Sequence, residues 1–218
     1  MTDSNAFARA GQVLADVASL LDHHPAQSDP KRGRPAGAGY GHLLRSSVAL
    51  CYTAWEVYVE EALVETVQLL VADGEPDELP VAFRTWVAEL KPSPWTFVGD
   101  AWRYQVVELV RERIEGDDTG RYGFNTASVG KVTGLYKEVL GYSPLQDIKW
   151  QSKSNAAVRR DISLLVQVRG EIVHKGTTPG SLNLKGVRDW SSFVGRLCEK
   201  FDEQLGQFRA DVSSGSKN

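Results

Sequence analysis

Apolar positions recur along most of this chain at the 3.6-residue spacing of a helix, and no stretch alternates with the two-residue period of a strand. Residues 6–22 carry Phe7, Val13, Leu14, Val17, Leu20 and Leu21 on one face, and His23-His24-Pro25 ends the pattern. Residues 40–71 predict the longest helix. Its apolar residues, among them Val48, Cys51, Trp55, Tyr58, Leu63 and Val67, spread broadly around its circumference. A helix apolar on that much of its surface belongs at the centre of a bundle or in a subunit interface. The glutamates in this segment, Glu56, Glu60, Glu61 and Glu65, include two i, i+4 like-charge pairs, which an exposed face would tolerate.

Shorter helices are predicted over 77–91 and 95–115, separated by Pro92-Ser93-Pro94, and a weaker one over 128–140. Glycine- and turn-rich residues 116–125 connect the last two. The segment 154–175 reads as a helix from Ser154-Asn155 to a glycine stop at Gly176. The final helix runs from Gly186 or Val187 to about Val212, with Trp190, Phe193, Leu197, Phe201, Leu205 and Phe208 in phase. Residues 25–38 form a polar loop containing Lys31, Arg32 and Arg34, and 213–218 a frayed tail. The expectation is an all-α bundle, one domain over 1–212, with 77–153 as a helical insertion between core helices.

Length and composition fit one globular domain, with 42% hydrophobic and 24% charged residues among 218. The start has no basic and apolar leader, and no window of 18 apolar residues suggests a membrane span, so a cytoplasmic protein is expected. Cys51 and Cys198 lie in apolar helical contexts and read as buried thiols. His23 and His24 lack neighbouring ligands and read as helix-end residues, so no metal site is expected. Net charge is −3, unevenly spread. Residues 56–118 hold fifteen acidic and five basic side chains, whereas 149–188 hold eight basic and two acidic. A basic stretch on an otherwise acidic chain has the form of a nucleic-acid footprint, with Lys149, Lys153, Arg159, Arg160 and Lys175 as candidate phosphate contacts.

That stretch contains Arg169-Gly-Glu-Ile-Val-His174, an arginine and a histidine five residues apart near a helix end. Five helical residues advance about 7.5 Å and turn about 500°, leaving the two side chains roughly 140° apart. They do not stack as an i, i+4 pair. A phosphate would give them a shared task, with the arginine holding charge and the histidine moving a proton. A histidine in a last helical turn is equally often a plain C-terminal charge. Glu56, midway along the longest helix, is a candidate to orient Arg169.

A long helix with Ala54-Trp55-Glu56-x-Tyr58-x-Glu60-Glu61, a variable helical middle, and a later helix ending in Arg169-x4-His174 resembles the HEPN superfamily of small helical ribonucleases, most of all its RiboL-PSP-HEPN branch. The resemblance spans about 40–212. It implies catalytic roles for Arg169 and His174, cleavage of RNA without metal or cofactor, a homodimer with a composite site, and a place in toxin–antitoxin or phage-defence systems with an antitoxin or defence partner. One position departs from the family pattern. The residue after the arginine is commonly polar there; here it is Gly170, which offers no side-chain hydrogen bond and weakens a helix by about 1 kcal/mol relative to Ala. The expected activity is 2′-hydroxyl attack on the neighbouring phosphorus. The alternatives are a non-catalytic HEPN-like RNA- or protein-binding module and a structural dimerisation protein.

Overall fold

The longest helix is the axis around which the others are laid. The computed structural model describes residues 4–24, 40–90, 92–116, 123–176 and 182–215. Seven α-helices occur among them: α1 (Asn5–Asp22), α2 (Gly41–Asp73), α3 (Val81–Glu89), α4 (Ala101–Glu115), α5 (Val129–Leu140), α6 (Asn155–Lys175) and α7 (Leu184–Ser213). No strand is present among the described residues, and the architecture is all-α. Helices α1, α4, α6 and α7 all pack on α2, α1 also meets α7, and α3 lies on α5. None of these helices is long and apolar enough to cross a membrane.

The apolar circumference of α2 explains its position. Cys51, Ala54, Trp55, Tyr58, Val59, Leu63 and Val67 are completely buried, and they face neighbours on several sides. At the centre, the Phe201 ring of α7 meets Trp55, Tyr58 and Tyr136 edge-on, with centroids 5.5, 5.7 and 5.1 Å away. Edge-to-face rings at such separations add to the area they bury. Two phenols in this cluster keep their hydroxyls satisfied: Tyr136 donates to the carbonyl of Val59 at 2.8 Å, and Tyr58 donates to Asp202 at 3.3 Å. The Cys51 thiol is pushed up to about 12 by burial and Cys198 is raised as well, so both stay protonated.

Helix ends follow local chemistry. Ser4, Ser128, Ser154 and Asn183 each cap the N-terminus of the helix they precede with a side-chain oxygen. Gly176 takes φ 62° and donates its N–H to the Ile172 carbonyl, closing α6 at the glycine expected to stop it.

Two expectations need correction. The helix expected over 77–91 starts only at Val81, because Pro80 fixes its N-terminus. The helix expected over 95–115 is two pieces, a 3-10 turn over Pro94–Phe97 and then α4. The stretch 77–153 lies between α2 and α6 in the chain, and its apolar residues join the core. Val110, Val132, Tyr136 and Val139 are fully buried in the same cluster as α2 and α7. The loop expected over 25–38 lies outside the described residues, as do 117–122 of the expected connector. Of the expected tail, Ser213 is still helical and 216–218 fall outside the described residues.

Candidate active site

Helices α2 and α6 pack together and bring Arg169 against Tyr52. The guanidinium carbon sits 5.0 Å from the ring centroid, a cation–π distance. Tyr52 is 2% exposed and its hydroxyl is held from two directions. It donates to the Glu56 carboxylate one turn along α2 at 2.7 Å, and it accepts the backbone N–H of Ala127 at 2.9 Å. Trp55 donates its indole N–H to the carbonyl of the same Ala127 at 2.8 Å. Burial, then the hydrogen bond to Glu56, raises the Tyr52 hydroxyl above its ordinary range, so it remains a neutral donor.

The expected ion pair between Glu56 and Arg169 is not formed. Tyr52 touches both, giving its edge to the carboxylate and its face to the guanidinium. Arg169 is half-buried and makes no hydrogen bond or ion pair among the described residues. No acceptor among the described residues takes up its N–H groups, which leaves them to fork an anion. Tyr52 was not singled out in the sequence. Its i, i+4 relation to Glu56 was the available signal, but an aromatic on an apolar helix reads first as core.

His174 does not join this group within one protomer. It lies in the last turn of α6 and is exposed, in a stripe with Arg160, Ser163, Leu164 and Gln167. Helical geometry sets it roughly 140° around from Arg169, which faces α2. Gly170 borders this stripe, and a Cβ there would meet nothing within 4 Å.

The expected phosphate contacts divide into two kinds. Lys149, Arg160 and Lys175 are exposed. Lys153 is tied to Asp161 and lies 4.7 Å from the Phe193 ring centroid, and Arg159 donates to the carbonyl of Leu145 at 3.3 Å. The last two are therefore engaged in fastening the 145–153 segment to α6.

The glutamates of α2 are not a solvated face. Glu65 accepts the backbone N–H groups of Asn5 and Ala6 at 3.0 and 2.9 Å and so anchors the start of α1. Glu61 pairs with Arg9 at 2.7 Å. Glu60 lines a cleft of about 360 Å³ between α1, α2 and α4, together with Glu61, Glu115, Arg9 and Arg111. Burial and the charges of Glu56, Glu61 and Glu115 push its carboxyl up to about 7.

Comparison with family models, with curated proteins and with solved structures finds no match to this chain.

Proposed function

We propose that this protein is a metal-independent endoribonuclease of the HEPN type that works as a homodimer. The observation that carries the reading is Arg169, held over the Tyr52 ring with its N–H groups uncommitted among the described residues. A phosphodiester bound there would have its charge met by a guanidinium already ordered, which lowers the cost of stabilising the pentacoordinate transition state. His174 would take the proton of the RNA 2′-hydroxyl or give one to the leaving 5′-oxygen. The new bond joins the 2′-oxygen to phosphorus, the bond to the 5′-oxygen breaks, and a 2′,3′-cyclic phosphate results. DNA has no such hydroxyl and is not a substrate.

Dimerisation supplies what one protomer lacks. Arg169 faces α2 and His174 is exposed on α6, and the resemblance implies a two-fold dimer that gathers both Arg169/His174 pairs into one cleft. The membership of a toxin–antitoxin or phage-defence system, with an antitoxin or defence partner, follows from the resemblance of the motif. A second reading, a non-catalytic RNA- or protein-binding module, is favoured by Gly170, which leaves the position after the arginine without a side chain.

The deciding experiment incubates the protein with mixed RNA in chelator, beside Arg169→Ala and His174→Ala. The enzyme reading expects cyclic-phosphate or 3′-phosphate ends, uncut DNA, and a rate lower by at least ~100-fold in either variant. RNA binding without cleavage by the parent, together with no toxicity on expression that His174→Ala relieves, establishes the module reading instead.

A further inference from the structure

On another side of the molecule, α3, the turn that follows it and the start of α4 enclose an apolar groove of about 480 Å³. Phe83, Val87, Phe97 and Trp102 form its walls, with Pro92 and Pro94 at one edge. Proline has no backbone N–H, so that edge offers few donors to a polar ligand. Among the described residues of the groove's lining, Arg84 alone is charged. Its side chain is exposed and forms no hydrogen bond or ion pair among the described residues. The nearest acid on α3, Glu89, lies roughly 140° around the helix from it. The apolar surface also continues past the groove. Trp95 is 84% exposed and Val98 62% exposed, on either side of Phe97 in the chain.

We infer that this groove is a docking site for a partner protein, which inserts an apolar segment between α3 and α4 and sets a carboxylate on Arg84. Two observations select that occupant. An unpaired guanidinium beside an apolar wall calls for an anion at the rim, where a bidentate pair fixes register. A ligand small enough to sit in the groove would leave Trp95 and Val98 in water, whereas a protein segment crossing it would cover them. Exposed aromatic and arginine side chains around a central pocket are the residues that dominate binding energy at protein interfaces. The site is separate from Arg169 and does not depend on the activity proposed above.

The test is selection of random twelve-residue peptides from a display library on the immobilised full chain. The expected winners combine large aliphatic or aromatic residues with at least one Asp or Glu. A synthetic winner should shield Trp95 from iodide quenching. Arg84→Glu should weaken its binding about 10-fold or more, and a peptide with Lys in place of the acid should recover it. Arg84→Gln, which removes charge without reversing it, guards against a folding defect, with circular dichroism confirming the helices. Winners without acids, no enrichment at all, or affinity unchanged in both Arg84 variants overturn the proposal. So do two substitutes for the occupant: a dimer that Trp95→Ser dissociates, which would assign the groove to a second copy, and salt-dependent quenching of Trp95 by single-stranded RNA, which would assign it to nucleic acid.

Discussion

Arg169 sits with its guanidinium carbon over the Tyr52 ring, 5.0 Å from the ring centroid. The contact joins α6 to α2 at the point where the proposed site needs a fixed positive charge. Tyr52 is in turn held at its hydroxyl by Glu56 and Ala127, so the arginine rests on a ring whose far end is fixed.

Two substitutions at Tyr52 separate the ring from the hydroxyl. Tyr52→Phe keeps the stack but leaves the buried Ala127 N–H without its acceptor, and stability should fall by about 1–3 kcal/mol in urea unfolding. RNA cleavage per folded molecule should change little. Tyr52→Leu removes the platform as well, and cleavage should fall further than stability explains. Equal cleavage by the two variants would show that the stack does not position Arg169.

Glu60 makes stability depend on pH in a definite direction. Its folded value of about 7 lies above the ordinary 4.5, so between those values the folded protein holds a proton that the unfolded chain has released. Stability from this group is full below about pH 4.5 and is lost as pH rises through about 7. Thermal unfolding from pH 5 to 8 should therefore show a decline that Glu60→Gln flattens. Glu61, whose carboxyl burial also raises, shares the cleft, and a decline of unchanged slope in Glu60→Gln would assign the effect to it.

At Gly170 the helix has open space, and Gly170→Ala should stabilise the protein by about 1 kcal/mol. Gly170→Asn tests the departure from the family pattern directly. If the missing polar side chain limits the reaction, Asn raises the cleavage rate, read as cyclic-phosphate ends per unit time. A rate equal to that of Gly170→Ala shows the position to be irrelevant to chemistry.

The basic residues should split by role. Replacing Lys149, Arg160 and Lys175 with Gln should reduce the slope of log affinity for single-stranded RNA against log salt by about 2. Lys153→Gln should act on the fold, loosening the 145–153 segment from α6, and should show as a lower melting temperature with a smaller change in that slope.

The all-helical character was legible because apolar spacing records it directly, and Ser154 and Gly176 marked the ends of α6 as single residues with single jobs. What the pattern could not carry was mutual position. The glutamates of α2 have the spacing of a solvated stripe, yet α1 and α4 cover them, and only tertiary packing tells a Glu65 that caps a distant helix from one in water. Lys153 and Arg159 were likewise assigned by charge, while their partners, Asp161 and the Leu145 carbonyl, are brought to them by a turn with no strong local signature. Tyr52 was hidden by its own chemistry, since a phenol serves equally as core filler and as platform.

Ala127 has no functional side chain, yet α2 grips its peptide groups on both sides, taking its N–H with Tyr52 and its carbonyl with Trp55. These two captors are three residues apart, hence on one face of α2. The connector is thereby indexed to α2 at a single residue by its backbone atoms, with the Ala127 methyl itself fully buried. A change of length between α4 and this point should leave Tyr52, and the arginine resting on it, where they are. A proline at 127 should do the opposite: it deletes one N–H and sends the disturbance through the phenol to a charge on another helix.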